Sequence, residues 1–166
     1  MSDDFFPVPG GWARDALMDR AARAADYDRS IGDAHAYWLE RATRLDWITP
    51  PTLTNESSFA EADFGVRWFA DGVLNVSANC IDRHLDERAD QTAILWEPDS
   101  PGDAPRRFTY AQLHEQVCRF ANVLKGAGAK KGDRITVYMP MVPEAAFALL
   151  ACARIGAIHS LSLIHI

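Results

Sequence analysis

Two hydrophobic periods alternate along the second half of the chain. Thr109 can cap a helix in which Leu113, Val117, Phe120 and Leu124 share one face, and Lys125-Gly126 marks its end. RITVYMP follows as a near-continuous apolar strand, the pattern of a parallel strand covered on both faces. Pro143 and Glu144 then open AAFALLACARIGA, a helix apolar nearly all round, and Gly156 stops it before IHSLSL resumes strand character. Helix, strand, helix, strand predicts a right-handed crossover unit of an α/β sheet. Just upstream, TAILW and RRFTY read as short strands around the turn-rich PDSPGDAP.

The first half reads as helices and irregular segments. Asp33 can cap a helix carrying Ala34, Trp38, Ala42 and Leu45, with Glu40 and Arg44 as an i,i+4 pair. Residues 48–62, with Pro50-Pro51 and several Ser, Thr and Asn, have no period and read as a long connection. VRWFADGVLNV predicts a hairpin turning at Asp71-Gly72, after which Asn75 caps a helix with Val76, Cys80, Ile81 and Leu85 on its apolar side.

Composition narrows the class. Of 166 residues, 48% are hydrophobic and 24% charged, which predicts a globular chain with a core. Seventeen basic against twenty-three acidic residues give a net charge of -6, without a basic stripe, so nucleic acid is not an expected partner. Cys80, Cys118 and Cys152 are odd in number, widely spaced and set in predicted helices, which favours a reducing compartment over a disulfide framework. MSDDFFPVPG lacks the basic flank and apolar run of a signal peptide, and no stretch reaches the roughly 18 apolar residues of a membrane span. The expected location is the cytoplasm, with no membrane partner.

Four places invite a chemical reading, and each has a plainer one. KGAGAKKGD, residues 125–133, has glycines beside lysines, but it closes a helix and leads into a strand, the reverse of a phosphate loop. HEQVC, residues 114–118, puts Cys118 where a zinc protease has its second histidine, with no third ligand suitably spaced. His84 and His159 have no neighbouring nucleophile or oxyanion arrangement. Asp82, Asp86, Glu87 and Asp90 read as solvated charge around a helix end. The residues alone therefore predict catalytic, cofactor-binding and metal residues: none.

More specific are RLDWITP at 44–50, WFADGVLNVSANCIDRHL at 68–85, AILWEPD at 93–99 and the long tract from Phe108 to Ser160. Together they closely resemble the N-terminal part of the AMP-forming acetyl-CoA synthetases, members of the adenylate-forming ligase superfamily. The resemblance implies a helical and irregular N-terminal cap segment over 1–88, followed over 89–160 by the truncated start of a mixed α/β adenylation domain. It also implies an acetate–CoA ligase, with acetate, ATP and CoA as substrates and Mg²⁺ at the phosphates. The phosphate loop, acyl pocket and C-terminal lysine of such enzymes would lie beyond this chain, so no ligand-binding residue is carried over and the chain alone is expected to be inactive. Alternatives are a ligase for a related short acid such as propionate, or a non-catalytic product that pairs with the full-length enzyme.

The match stops after GAIHS, within an unfinished βαβ pattern. Leaving its large apolar side chains wet would forfeit roughly 1.5–3 kcal/mol each, against a typical domain stability of about 5–15 kcal/mol. The chain is accordingly expected to be a fragment that aggregates in isolation, and 161–166 a non-native tail, translated read-through at a gene edge.

Overall fold

Four helices start by the same chemistry: a short polar side chain accepts a hydrogen bond from an amide that the first turn leaves without an intrahelical partner. Asp19 accepts from Ala22 N at 2.7 Å, Asp33 from Ala36 N at 3.0 Å and Asn75 from Ala78 N at 3.1 Å. Thr109 forms a full capping box, its hydroxyl accepting from Gln112 N at 3.2 Å and Gln112 Oε1 from Thr109 N at 2.9 Å. The computed structural model describes residues 6–162. The opening residues 1–5 and the last four of the expected tail, 163–166, lie outside the described residues.

The described residues divide into two compact units, one of residues 6–44 with 51–71, the other of 45–50 with 72–162. The first holds α1 (Gly10–Arg14), α2 (Arg20–Gly32) and α3 (Ala34–Ala42). Asp26 of α2 accepts from the Tyr37 hydroxyl at 2.7 Å and pairs with Arg41, so a carboxylate staples α2 to α3. Trp38 packs edge-on against Tyr37 and Trp68, with ring centroids 5.2 and 5.4 Å away. The Glu40 carboxylate meets Arg29 and Arg41. Helix α3 ends at Ala42, before Leu45 could join its face.

The hairpin expected at Asp71-Gly72 is not formed. The strand-like residues pair with the preceding connection, Asn55 opposite Trp68 and Ser58 opposite Gly65, while Thr49 bridges Val73 in the other unit. The reason lies in Asp71: its carboxylate accepts from the Thr52 amide and hydroxyl at 2.8 and 2.7 Å and from Leu53 N at 3.2 Å. Those bonds hold Asp71 below the ordinary carboxylate range and spend it as a loop cap rather than as a turn residue. Phe69 enters the left-handed region, φ 50°, and donates its amide to Thr54 O at 2.7 Å.

The second unit holds α4 (Val76–Cys80), a 3₁₀ turn at Asp82–His84, α5 (Leu85–Arg88), β1 (Thr92–Trp96), β2 (Arg106–Thr109), α6 (Tyr110–Gly126), β3 (Arg134–Tyr138), α7 (Pro143–Ile155) and β4 (Ile158–Ser162). Strands β1 and β2 form an antiparallel pair, and β3 and β4 a parallel pair joined through α7. This is the expected βαβ crossover, in a mixed α/β arrangement. Ile81, Leu113, Val117, Ala121, Phe147 and Ala151 form the core between α6, α7 and the turn after α4. Around α4 the buried side is Ser77 and Ile81, whereas Val76 and Cys80 are exposed. On β3, Val137 is buried while Tyr138 is 59% exposed, so the strand is covered on one face among the described residues rather than on both.

Gly156 carries a positional demand. Its φ of 73° is left-handed, and a Cβ there would lie 3.0 Å from Lys131 Cγ. Gly156→Ala is expected to destabilise by roughly 1–2 kcal/mol in urea unfolding. Within α6 the two faces are distinguishable by one substitution: Val117→Ala, at a fully buried site, should cost about 2 kcal/mol. Val123→Ala, at an exposed one, should stay within about 0.5 kcal/mol.

Candidate functional site

In open α/β sheets ligands bind outside the carboxyl ends of the parallel strands, so the candidate edge is where β3 and β4 finish, with Tyr138 opposite Ser162. Residues 139–142 leave that edge and lead into α7. The segment is pinned from two sides. Trp96 Nε1 donates to Met141 O at 2.7 Å, and Arg106 Nη2 donates to Glu144 Oε1 at 2.8 Å on the first turn of α7. The Arg106 guanidinium stacks above Phe108 and Trp96, 5.1 and 5.8 Å from the ring centroids, which holds its fork toward Glu144. This pairing keeps the Glu144 carboxyl below its ordinary range. Below this rim, Phe108 and Phe147 meet edge-on at 5.2 Å in the floor of an open groove of about 350 Å³. Among the described residues the edge offers Tyr138 and two methionines. Such side chains can border a ligand.

The opposite end of α7 is gripped by a polar cluster. Asp82 accepts from Arg154 Nη1 at 3.2 Å and also from Nη2, a two-point carboxylate–guanidinium contact. Asn75 donates through Nδ2 to Arg154 O at 3.0 Å and Ala153 O at 3.4 Å while its Oδ1 caps α4. Asn79 accepts from Asp46 N at 2.8 Å and donates to Asp46 O at 2.9 Å, and Arg83 donates to Asn79 Oδ1 at 3.2 Å. His114 Nε2 stands 3.5 Å from both Asp82 Oδ1 and Cys118 Sγ. Asp82 is thus not part of a solvated acidic patch, unlike Asp86, Glu87 and Asp90, which are exposed. Its partner lies 72 positions away, and no local spacing announces it.

The remaining sequence candidates fall as follows. In residues 125–133 the amides of Ala127, Gly128 and Ala129 donate to the last carbonyls of α6, Lys130 N to Asp133 Oδ2 at 2.9 Å and Gly132 N to Gly156 O at 2.9 Å. These donors are already committed, so the loop does not fit a phosphate. Among the described residues no group of three or more His, Cys, Asp or Glu side chains could hold a metal, and no helix is long and apolar enough to cross a membrane. His84 lies 5.0 Å from the Tyr110 ring, and His159 is exposed on β4. All three cysteines are free thiols, and burial pushes the Cys152 thiol up, which keeps it protonated and inert at neutral pH.

Two family models match end to end. That described as acetyl-coenzyme A synthetase N-terminus covers residues 23–80, and that described as AMP-binding enzyme covers 81–162. The chain is 58% identical over 161 residues to an acetyl-coenzyme A synthetase of Novosphingobium aromaticivorans, covering 97% of this chain and 25% of that protein. It is 59% identical over 155 residues to an acetyl-coenzyme A synthetase of Caulobacter vibrioides, covering 93% and 24%. The fold is similar to that of acetoacetyl-CoA synthetase from Streptomyces lividans, with TM-score 0.72 and 25% identity, over 92% of this chain and 23% of that one. The chain spans about a quarter of the length of the curated relatives it matches.

The Arg106–Glu144 pair has a defined pH signature. Glu144 has a folded-state pKa below its unfolded value, so its contribution is present above the unfolded value and is lost as pH falls through the folded one. Because both side chains are more than two-fifths exposed, Arg106→Gln should cost only about 0.2–1 kcal/mol at pH 7. In urea unfolding, the difference between wild type and variant should shrink below about pH 4.

Proposed function

The chain belongs to the acetyl-CoA synthetase family of adenylate-forming ligases, and from that membership we propose that it is the N-terminal part of an AMP-forming acetate–CoA ligase. The observation that carries this reading is the pair of abutting matches over residues 23–162, together with 58% identity across nearly the whole chain to a relative of that name. In the proposed reaction an acetate oxygen attacks the α-phosphorus of ATP, the bond to pyrophosphate breaks, and acetyl-adenylate forms. The CoA sulfur then attacks the acyl carbon, the acyl–phosphate bond breaks with AMP as leaving group, and the thiol proton is released. Mg²⁺ would offset the phosphate charge in the first step.

The residues described have a different task in this scheme. They supply a cap segment and the first βαβ unit of the adenylation domain, with β3, α7 and β4 as scaffold. ATP, CoA and Mg²⁺ would be held by parts of the protein that follow in the relatives' sequences. In this reading a cap segment occupies 1–88 and the opening of the adenylation domain begins at 89. The location is cytoplasmic.

The test is acetate-dependent exchange of labelled pyrophosphate into ATP, followed by CoA-dependent release of AMP, with the full-length product of the gene. Exchange with acetate above that with propionate is expected. Exchange with propionate alone would replace acetate by that short acid, and exchange with neither would overturn the reading. The 166-residue chain alone should give no exchange.

A further inference from the structure

On the reading that the intact protein activates a carboxylic acid, we infer that Asp82 is a positioning residue for the ligand edge of the β3–β4 pair. It acts through Arg154. Asp82 grips both terminal nitrogens of that guanidinium, while Arg154 Nε is buried without a hydrogen-bond partner among the described residues. The orientation of Arg154 therefore rests on this one carboxylate. Asn75 holds the carbonyls of the same turn, so the end of α7 is fixed by its side chain and its backbone together.

From Arg154 to the sheet the path has no slack. Gly156 turns left-handed at φ 73°, and its carbonyl accepts from Gly132 N at 2.9 Å. Ala157 N donates to Cys152 O at 2.9 Å and is followed at once by Ile158 N, which donates to Asp133 O at 2.8 Å as β4 begins. A shift of the last turn of α7 must then move β4 against β3, and the pair runs in unbroken register from Arg134–Ile158 to Tyr138–Ser162. A hydrogen-bonded strand transmits such a shift along its length, and displacement of about 1 Å at a reacting site can cost on the order of 100-fold in rate. Asp86 and Glu87, one turn on, are exposed and serve as matched controls.

The experiment compares full-length wild type, Asp82→Asn, Asp82→Glu, Arg154→Lys and Asp86→Asn at a temperature where each is folded by circular dichroism. Steady-state kinetics of acyl-CoA formation and hydrogen exchange at residues 158–162 are both read. Asp82→Asn should lower kcat/KM at least fivefold and speed exchange in β4, Asp82→Glu should recover most of both, and Asp86→Asn should change neither. If Asp82→Asn does not fold, the inference is tested by Arg154→Lys, which keeps the charge but loses the two-point contact and should show the same two effects in weaker form. Variants of Asp82 and Arg154 that lower only the melting temperature, with wild-type kinetics and β4 exchange, would overturn the inference. If wild type makes no acyl-CoA, the functional reading fails, while exchange in β4 still decides whether Asp82 governs that strand.

Discussion

The second unit depends on the grip that residues 75–83 exert on the C-terminal turn of α7. Asn75 bonds its carbonyls, Asp82 holds its arginine, and Ile81 between them is fully buried in the core. Asp82 and Arg154 are 35% and 21% exposed, which places their pair between the surface class, worth about 0–1 kcal/mol, and the buried class. Direction therefore matters more than strength here. A buried apolar contact alone would let α4 slide along α7, whereas a two-point carboxylate–guanidinium contact and two carbonyl bonds admit one register.

This grip also explains why the boundary between the two matched family regions, at Cys80 and Ile81, does not coincide with a structural boundary. Asn75 and Asn79 belong to the first matched region, yet both bond within the unit that contains β3, α7 and β4. The first matched region thus contributes part of its own sequence to the foundation of the unit that holds the second. At the other end of α7, Trp96 and Arg106 from the β1–β2 pair hold the loop and first turn. One helix, fixed at both ends, carries the strand pair whose carboxyl edge is the candidate ligand site.

Local chemistry was legible in the sequence. Asp33, Asn75 and Thr109 as helix caps, Pro143 as a first helical residue and Gly156 as a left-handed stop are each decided within a few residues of themselves. Long-range competition was not. Asp71-Gly72 has the composition of a hairpin turn, but three donors from Thr52 and Leu53 claim Asp71 for a different job. Glu40 has Arg44 at helical spacing and meets Arg29 of α2. Asp82 reads as one of four similar acids, and only the fold brings α7 to it. The family resemblance, carried by long tracts rather than by any one motif, implied a family that spacing and charge alone did not reach.

The claim that the segment after Gly72 belongs to the same cooperative body as α7 and β4 is tested most directly by native-state hydrogen exchange of the full-length wild-type protein. The account predicts that amides of residues 75–84 and 143–162 open together, with the same free energy and the same dependence on denaturant. Opening of residues 75–84 at lower free energy, while α7 and β4 stay protected, would contradict it.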